Sequence, residues 1–185
     1  VNAGLCALGR ALDIETLALM RASGCYILSV GIESGSDRVL ALMRKHLDTK
    51  TIRERVELIH SAGILVSGFF LIGYPGETAA ELEETFRFSR SLPLIRATYS
   101  YFQPFPGSDL ARSLPLPDFV RDDLSLHHIS YLPEGLTAVD MHRLRQRALL
   151  RFYLRPRVMA SMATSIRSWS HFKGVVRRAW RWLQA

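Results

Sequence analysis

The residues best placed to do chemistry in this chain lie in the stretch Ser29-Val30-Gly31-Ile32-Glu33-Ser34-Gly35-Ser36-Asp37. An apolar run over 25–30 precedes it and a helix-periodic run over 38–45 follows. The stretch therefore reads as a strand that ends in a glycine-bearing turn and opens a helix, with Ser36 or Asp37 placed to cap it. Glu33 then stands at a C-terminal strand end, where parallel α/β sheets and barrels bind their ligands. A carboxylate there can accept two ribose hydroxyls or hold a cation. The plainer alternative is that it caps the next helix or pairs with Arg38. Gly31, Gly35, Gly73 and Gly76 mark strand ends where backbone can approach a ligand with no side chain between, although turns use glycine for their own sake.

Other chemistries lack their residues. Cys6 and Cys25 are too far apart for a metal knuckle or a CxxC pair and read as buried, reduced thiols. His60, His127, His128 and His142 are scattered without ligand spacing, so no metal site is expected. No Ser-His-Asp set, P-loop or GxGxxG occurs at a strand-to-helix junction, and no acid–base pair stands out.

The elements that must position Glu33 follow from periodicity. An apolar start over 1–8 reads as a strand, and Asp13 opens a helix over 14–22 with Leu17 and Met20 (or Leu19) inward. The strand over 26–30 and the helix around Val39, Leu40 and Met43 come next. A helix over 51–61 places Ile52, Val56 and Ile59 on one face and is ended by Gly63. The continuous apolar run 64–72 predicts a parallel strand covered on both faces. It breaks at Gly73-Tyr-Pro-Gly-Glu-Thr78, and a helix over 79–91 with Leu82 and Phe86 inward follows. A strand over 97–102 ends in the loop Gln103-Pro-Phe-Pro-Gly-Ser108. Alternation of this kind predicts a parallel α/β sheet or barrel. Beyond Asp109 the segment 113–137 is irregular and wraps the core. Helices over 138–153 and 158–183 close the chain, the last with Ile166, Trp169, Phe172, Val176, Trp180 and Leu183 on one face. The domain reading is 1–112 for the α/β core, 113–137 for the wrapping segment and 138–185 for a helical extension.

At 185 residues, 48% hydrophobic, the chain is long enough for one well-buried globular domain. It starts at Val1 inside what reads as structured chain, so a fragment or processed product is expected. There is no signal-peptide pattern and no apolar run of about 18 residues, which points to the cytoplasm. The net charge of +7 is concentrated at the end: from Met141 onward there are many arginines, one lysine and no acid. Such a tail suits an anionic membrane surface, nucleic acid or an acidic partner.

The run GCYILSVGIESGSDRVLALMRK, followed by a helix and then AGILVSGFFLIGYPGET, resembles the second half of a radical S-adenosylmethionine (SAM) enzyme core. The later YFQPFPGSDL and RALLRFYLRP fit the branch in which that core follows a cobalamin-binding domain. The resemblance spans about 1–156. It implies an α/β fold, the C-terminal part of a partial (β/α)6 barrel, with the strands at 1–8, 26–30, 65–72 and 98–102 as its third to sixth. It also implies a SAM site across the C-terminal strand ends. Glu33, followed by Ser34, matches the position that contacts the ribose hydroxyls. Lys45 in the next helix, with Arg44 as the neighbour able to substitute, matches the basic position near the methionyl carboxylate. Phe70, Leu71 and Ile72 match the segment that packs on adenine, and Phe102 and Gln103 match the strand end whose backbone meets the adenine edge.

The family's CxxxCxxC loop, which holds a 4Fe–4S cluster, is absent from these 185 residues, as is the glycine-rich second-strand motif. The resemblance thus implies a radical SAM parent enzyme, methyltransferase- or cyclase-like. Its cofactors would be SAM and a 4Fe–4S cluster ligated upstream, with cobalamin a further cofactor of the branch. This piece would supply part of the pocket for SAM and for a small-molecule or lipid substrate, docked on the missing N-terminal part. The open edge left on the strand at 1–8 argues against solubility in isolation. The alternative is a non-catalytic protein whose basic tail docks an anionic membrane surface peripherally; nucleic acid is the less favoured partner.

Overall fold

The structure is a computed structural model, and it describes residues 2–6, 12–105, 107–114 and 129–165, with side chains from residue 12 to 161. Most of the wrapping segment, His127, His128 and the tail from Ile166, with Trp169, Trp180 and its apolar stripe, lie outside the described residues. So do the side chain of Cys6 and the docking role read for the tail.

Four parallel strands run in sequence order: β1 (Asn2–Cys6), β2 (Ile27–Glu33), β3 (Leu65–Ile72) and β4 (Leu94–Tyr101). Between them lie α1 (Ile14–Ala22), α2 (Asp37–Leu42), α3 (Thr49–Ser61) and α4 (Ala79–Ser91). Short α5 (Asp109–Ser113) follows β4, then α6 (Ala138–Tyr153) and α7 (Pro156–Ser165). Strands that add one after another through helical crossovers are the arc of a barrel, one of the two forms the alternation allowed and the one the resemblance implied.

Polar caps start the helices where the sequence places them. Asp13 accepts from the Thr16 N–H and Asp48 from the Thr51 N–H, while Thr78 with Glu81 and Thr137 with Asp140 form capping boxes. On the helix-covered face of the sheet, Leu28, Val30, Ile32, Val66, Phe70, Ile72, Ala97, Tyr99 and Tyr101 are buried with Leu82, Phe86, Leu149 and Phe152. In α1 Leu17 is buried and Met20 packs on the core, whereas Leu19 is exposed.

The other face corrects one expectation. Run 64–72 predicted cover on both sides, yet Phe69 and Leu71 are only half-buried, as are Ser29, Gly31, Thr98 and Ser100. This face is rich in small and polar residues and, among the described residues, no helix lies over it. It is the concave side of the arc.

β4 also starts three residues earlier than predicted, and its outer edge is closed by α6. The Ala97 carbonyl accepts from the Tyr153 hydroxyl at 3.1 Å, and the Tyr99 carbonyl from Arg145 Nε at 3.0 Å. Buried Arg145 thus satisfies a sheet edge that would otherwise invite pairing. Among the described residues no helix is long and apolar enough to cross a membrane.

Candidate functional site

β2 does not stop at Val30 but runs to Glu33, with a register shift between Gly31 and Glu33 where it pairs β3. Glu33 itself takes φ +69°, left-handed backbone that a non-glycine residue seldom adopts. A strained, bulged carboxylate at the C-terminal end of a parallel strand is an arrangement found more often at ligand sites than elsewhere.

Neither plain alternative for Glu33 holds. Ser36, not Glu33, caps α2 by accepting the Val39 N–H, and Arg38 pairs with Glu81. Glu33 Oε1 instead accepts from Lys45 Nζ at 3.0 Å. Lys45 lies beyond α2 rather than in it, a correction to the predicted helix 38–45. Arg44 adopts φ +53° and closes the helix, its N–H donating to the Ala41 carbonyl and that of Lys45 to the Leu40 carbonyl. The closing turn folds Lys45 back to the strand end. Both charged groups remain partly in solvent, with side chains 21% (Glu33) and 46% (Lys45) exposed.

Ser34 is fully buried, its hydroxyl 3.1 Å from Thr85 Oγ1 and accepting the Ser36 N–H. It holds the turn against α4, and its side chain does not reach the mouth. Gly35 is needed for the same packing: a Cβ there would lie 2.6 Å from Phe88 Cβ and 2.7 Å from Thr85 Cα. The reading of Gly35 as a point of ligand approach is thereby replaced by a close helix–turn contact.

Phe70 and Ile72 point into the helix-side core, Phe70 against Tyr99 at 5.4 Å between centroids. Leu71 alone of that trio is half-buried, on the concave face. The Phe102 N–H is taken by the Ile72 carbonyl at 2.9 Å. The Phe102 ring meets Tyr74 edge-on at 5.1 Å and Tyr131 at 6.3 Å. Gln103 is buried and accepts from the Ser130 hydroxyl. Residues 129–133 thus cross the ends of β3 and β4, and Pro133 lies within 3.9 Å of where a Cβ on Gly73 would be.

Glu77 was legible only as one acid in a turn. Its buried Oε2 accepts the N–H groups of Gly73 (2.7 Å) and Tyr74 (3.2 Å), closing the loop after β3. Oε1 is buried without a partner among the described residues. Burial pushes this carboxyl up to about 7, against the two backbone donors that pull it down.

Around this mouth, Glu33, Lys45, Leu71, Tyr74, Phe102 and Tyr131 join opposite charges to apolar and aromatic walls. Such a set can recognise a ligand that has hydroxyls, a carboxylate and a flat ring. Cys25 is buried with Sγ directed at the Ile27 carbonyl, at the start of β2. No group of three or more His, Cys, Asp or Glu side chains converges among the described residues.

A family model described as the Radical SAM superfamily matches residues 3–89. An uncharacterised methyltransferase of Pyrococcus horikoshii is 30% identical over 145 residues, covering 76% of this chain and 31% of that protein. The cytidylyl-2-hydroxyethylphosphonate methyltransferase of Streptomyces wedmorensis is 32% identical over 127 residues, 65% of this chain and 24% of that protein. This chain thus spans about a quarter to a third of the length of these curated relatives. Among solved structures, coproporphyrinogen III oxidase from Escherichia coli, a radical SAM enzyme, aligns with TM-score 0.51 at 18% identity, over 57% of this chain and 25% of that one. That likeness concerns the fold: a parallel α/β arc of barrel type.

Proposed function

Because the radical SAM superfamily model matches residues 3–89, we propose that this chain belongs to that superfamily and forms the rear wall of the SAM pocket in an enzyme that starts radical chemistry by reductive cleavage of SAM. The observation that carries the reading is the Glu33–Lys45 pair, a strained strand-end acid held 3.0 Å from an ammonium group. In this reading Glu33 accepts the ribose hydroxyls, a role that needs an ionised acceptor free to exchange Lys45 for ligand. Lys45 turns to the methionyl carboxylate, a charge-assisted contact. Leu71 and the half-buried concave face support the adenine, and Phe102 with Gln103 closes its edge. Phe70, Ile72 and Ser34 act from behind, by fixing the strand and the turn.

The residues present do not fit a 4Fe–4S cluster: Cys25 is buried at the start of β2 with its Sγ turned to the Ile27 carbonyl, and a single further cysteine, Cys6, is available. Its ligation is assigned to polypeptide outside these 185 residues, which contain two cysteines only. In this reading residues 1–112 act as barrel wall, 113–137 as a wrapping segment whose described part, 129–133, crosses the strand ends, and 138–185 as an extension whose first helix, α6, seals the β4 edge. For the whole protein the relatives support methyl transfer as the reaction class, with cyclisation and a cobalamin cofactor as finer readings of the same branch. The test is calorimetric titration of the complete protein with SAM: Glu33→Ala is expected to weaken binding about tenfold or more. Unchanged affinity would remove Glu33 from the site.

A further inference from the structure

The sheet end away from Glu33, about 25 Å off for strands of this length, carries a second concave feature. The C-terminal ends of α3 and α4 and the turn between α6 and α7 border an open cleft of about 410 Å³. Its lining includes His60, Arg90, Arg155, Arg157, Leu92 and a single carboxylate, Glu57. Glu57 already faces Arg53 at 4.0 Å.

One of the three guanidinium groups is explained by the fold. Arg155 donates to the carbonyls of Arg90, Leu92 and Leu94, closing the end of α4 where a cation is favoured. The other two are not. Arg90 Nη1 is buried with no hydrogen-bond partner among the described residues, a costly state for a charged donor. Arg157 Nη2 lies 2.6 Å from His60 Nε2. The imidazole must therefore accept there, neutral, with its proton on Nδ1. Burial, and then Arg157 itself, hold His60 below its ordinary range. Among the described residues, two cations with no acid of their own line one cleft, and Arg90 Nη1 has no acceptor.

We propose that this cleft binds a phosphate-class oxyanion, free or as the phosphomonoester of a small molecule, through Arg90 and Arg157 with His60 beside them. Guanidinium forks match the oxygens of such an anion. Bound there, it takes over Arg157 from His60, favours protonation of the imidazole, and places a counter-charge beside the Arg90 guanidinium. Leu92 and Pro93 offer an apolar wall to the remainder of an ester. The site is separate from the strand-end mouth, so it stands or falls independently of SAM binding.

The experiment is calorimetric titration of the 185-residue chain with inorganic phosphate and with glycerol 3-phosphate in chloride buffer, with the His60 imidazole followed by NMR. Saturable binding is expected, weakened about tenfold or more by Arg157→Gln or Arg90→Gln, with the His60 pKa raised by phosphate. Tighter binding of the ester identifies a phosphorylated metabolite as the ligand, and equal binding identifies the free anion. Arg143→Gln, an exposed arginine of α6 outside the cleft, should leave the affinity unchanged. Should Arg90→Gln fail to fold, exposed Arg157 carries the test alone. No saturable binding, no response of His60, or equal weakening by Arg143→Gln would overturn the proposal.

Discussion

Arg38 and Glu81 meet in a two-pronged ion pair, Nε to Oε1 and Nη2 to Oε2, each at 2.7 Å. The pair ties the first turn of α2 to the first turn of α4, and Glu81 also accepts from Ser36 Oγ and Thr78. By engaging Arg38 elsewhere, it leaves Glu33 to Lys45. The Arg38 contact, ahead of the Thr78 and Ser36 donors, lowers the Glu81 carboxyl to about 2.

Glu81→Gln should therefore cost about 1–2 kcal/mol of stability near neutral pH. Because the carboxyl is depressed in the folded state, its contribution is present above about pH 4.5 and is lost as pH falls toward 2. Urea unfolding at pH 6 and pH 3 checks this: the gap between wild type and variant should narrow at the lower pH. A gap of constant size would contradict the pairing.

Glu77 titrates in the opposite sense. Its carboxyl is raised from 4.5 to about 7 by burial, so the folded state holds a proton that the unfolded chain releases. Stability contributed by this group falls as pH rises from about 4.5 to 7, by on the order of 2 kcal/mol. Glu77→Gln should remove that decline, leaving a flatter profile between pH 5 and 7. A variant that keeps the wild-type slope would assign the decline to another group.

Gly35→Ala brings a methyl within 2.6 Å of Phe88 Cβ and against α4 backbone. An overpacked contact of this kind costs roughly 1–3 kcal/mol, read as a lower Tm. Gly24, whose added Cβ would meet nothing within 4 Å but whose φ is +88°, tests conformational strain alone. Gly24→Asn, which tolerates that region, should be nearly neutral.

The parts of this fold legible in the sequence were those set by local rules. α4 and α6 fall at the predicted residues because apolar spacing and polar caps agree there, as Thr78 with Glu81 and Thr137 with Asp140 show. Ser36 as a cap and Glu33 at a strand end were legible for the same reason. What was hidden depended on long-range packing or on rare backbone. Arg44 closes α2 in a conformation that usually marks glycine, so nothing announced that Lys45 would leave the helix. The partner of Arg38 is set by how α4 lies on α2, 43 residues away. The same docking buries Ser34 and Gly35. β2 extends to Glu33 through a bulge that hydrophobic alternation does not encode. Within 70–72, parity along the strand separates Leu71 from Phe70 and Ile72, a distinction that an unbroken apolar run conceals.

The strain at Glu33 gives a prediction that separates function from stability. Glycine accepts φ +69° freely, and a half-exposed ion pair contributes about 1 kcal/mol or less. Glu33→Gly should therefore be at least as stable as wild type in thermal unfolding while binding SAM more weakly. A large drop in Tm would make Glu33 a structural residue.

The most direct measurement of the central claim is a cycle of four affinities, SAM and its 2′-deoxyribose analogue against wild type and Glu33→Gln. If Glu33 accepts the ribose hydroxyl, wild type should lose about tenfold on removal of that hydroxyl, and the variant should discriminate little between the two ligands. Equal discrimination by both proteins would show that the carboxylate and the hydroxyl do not meet, and would contradict the account.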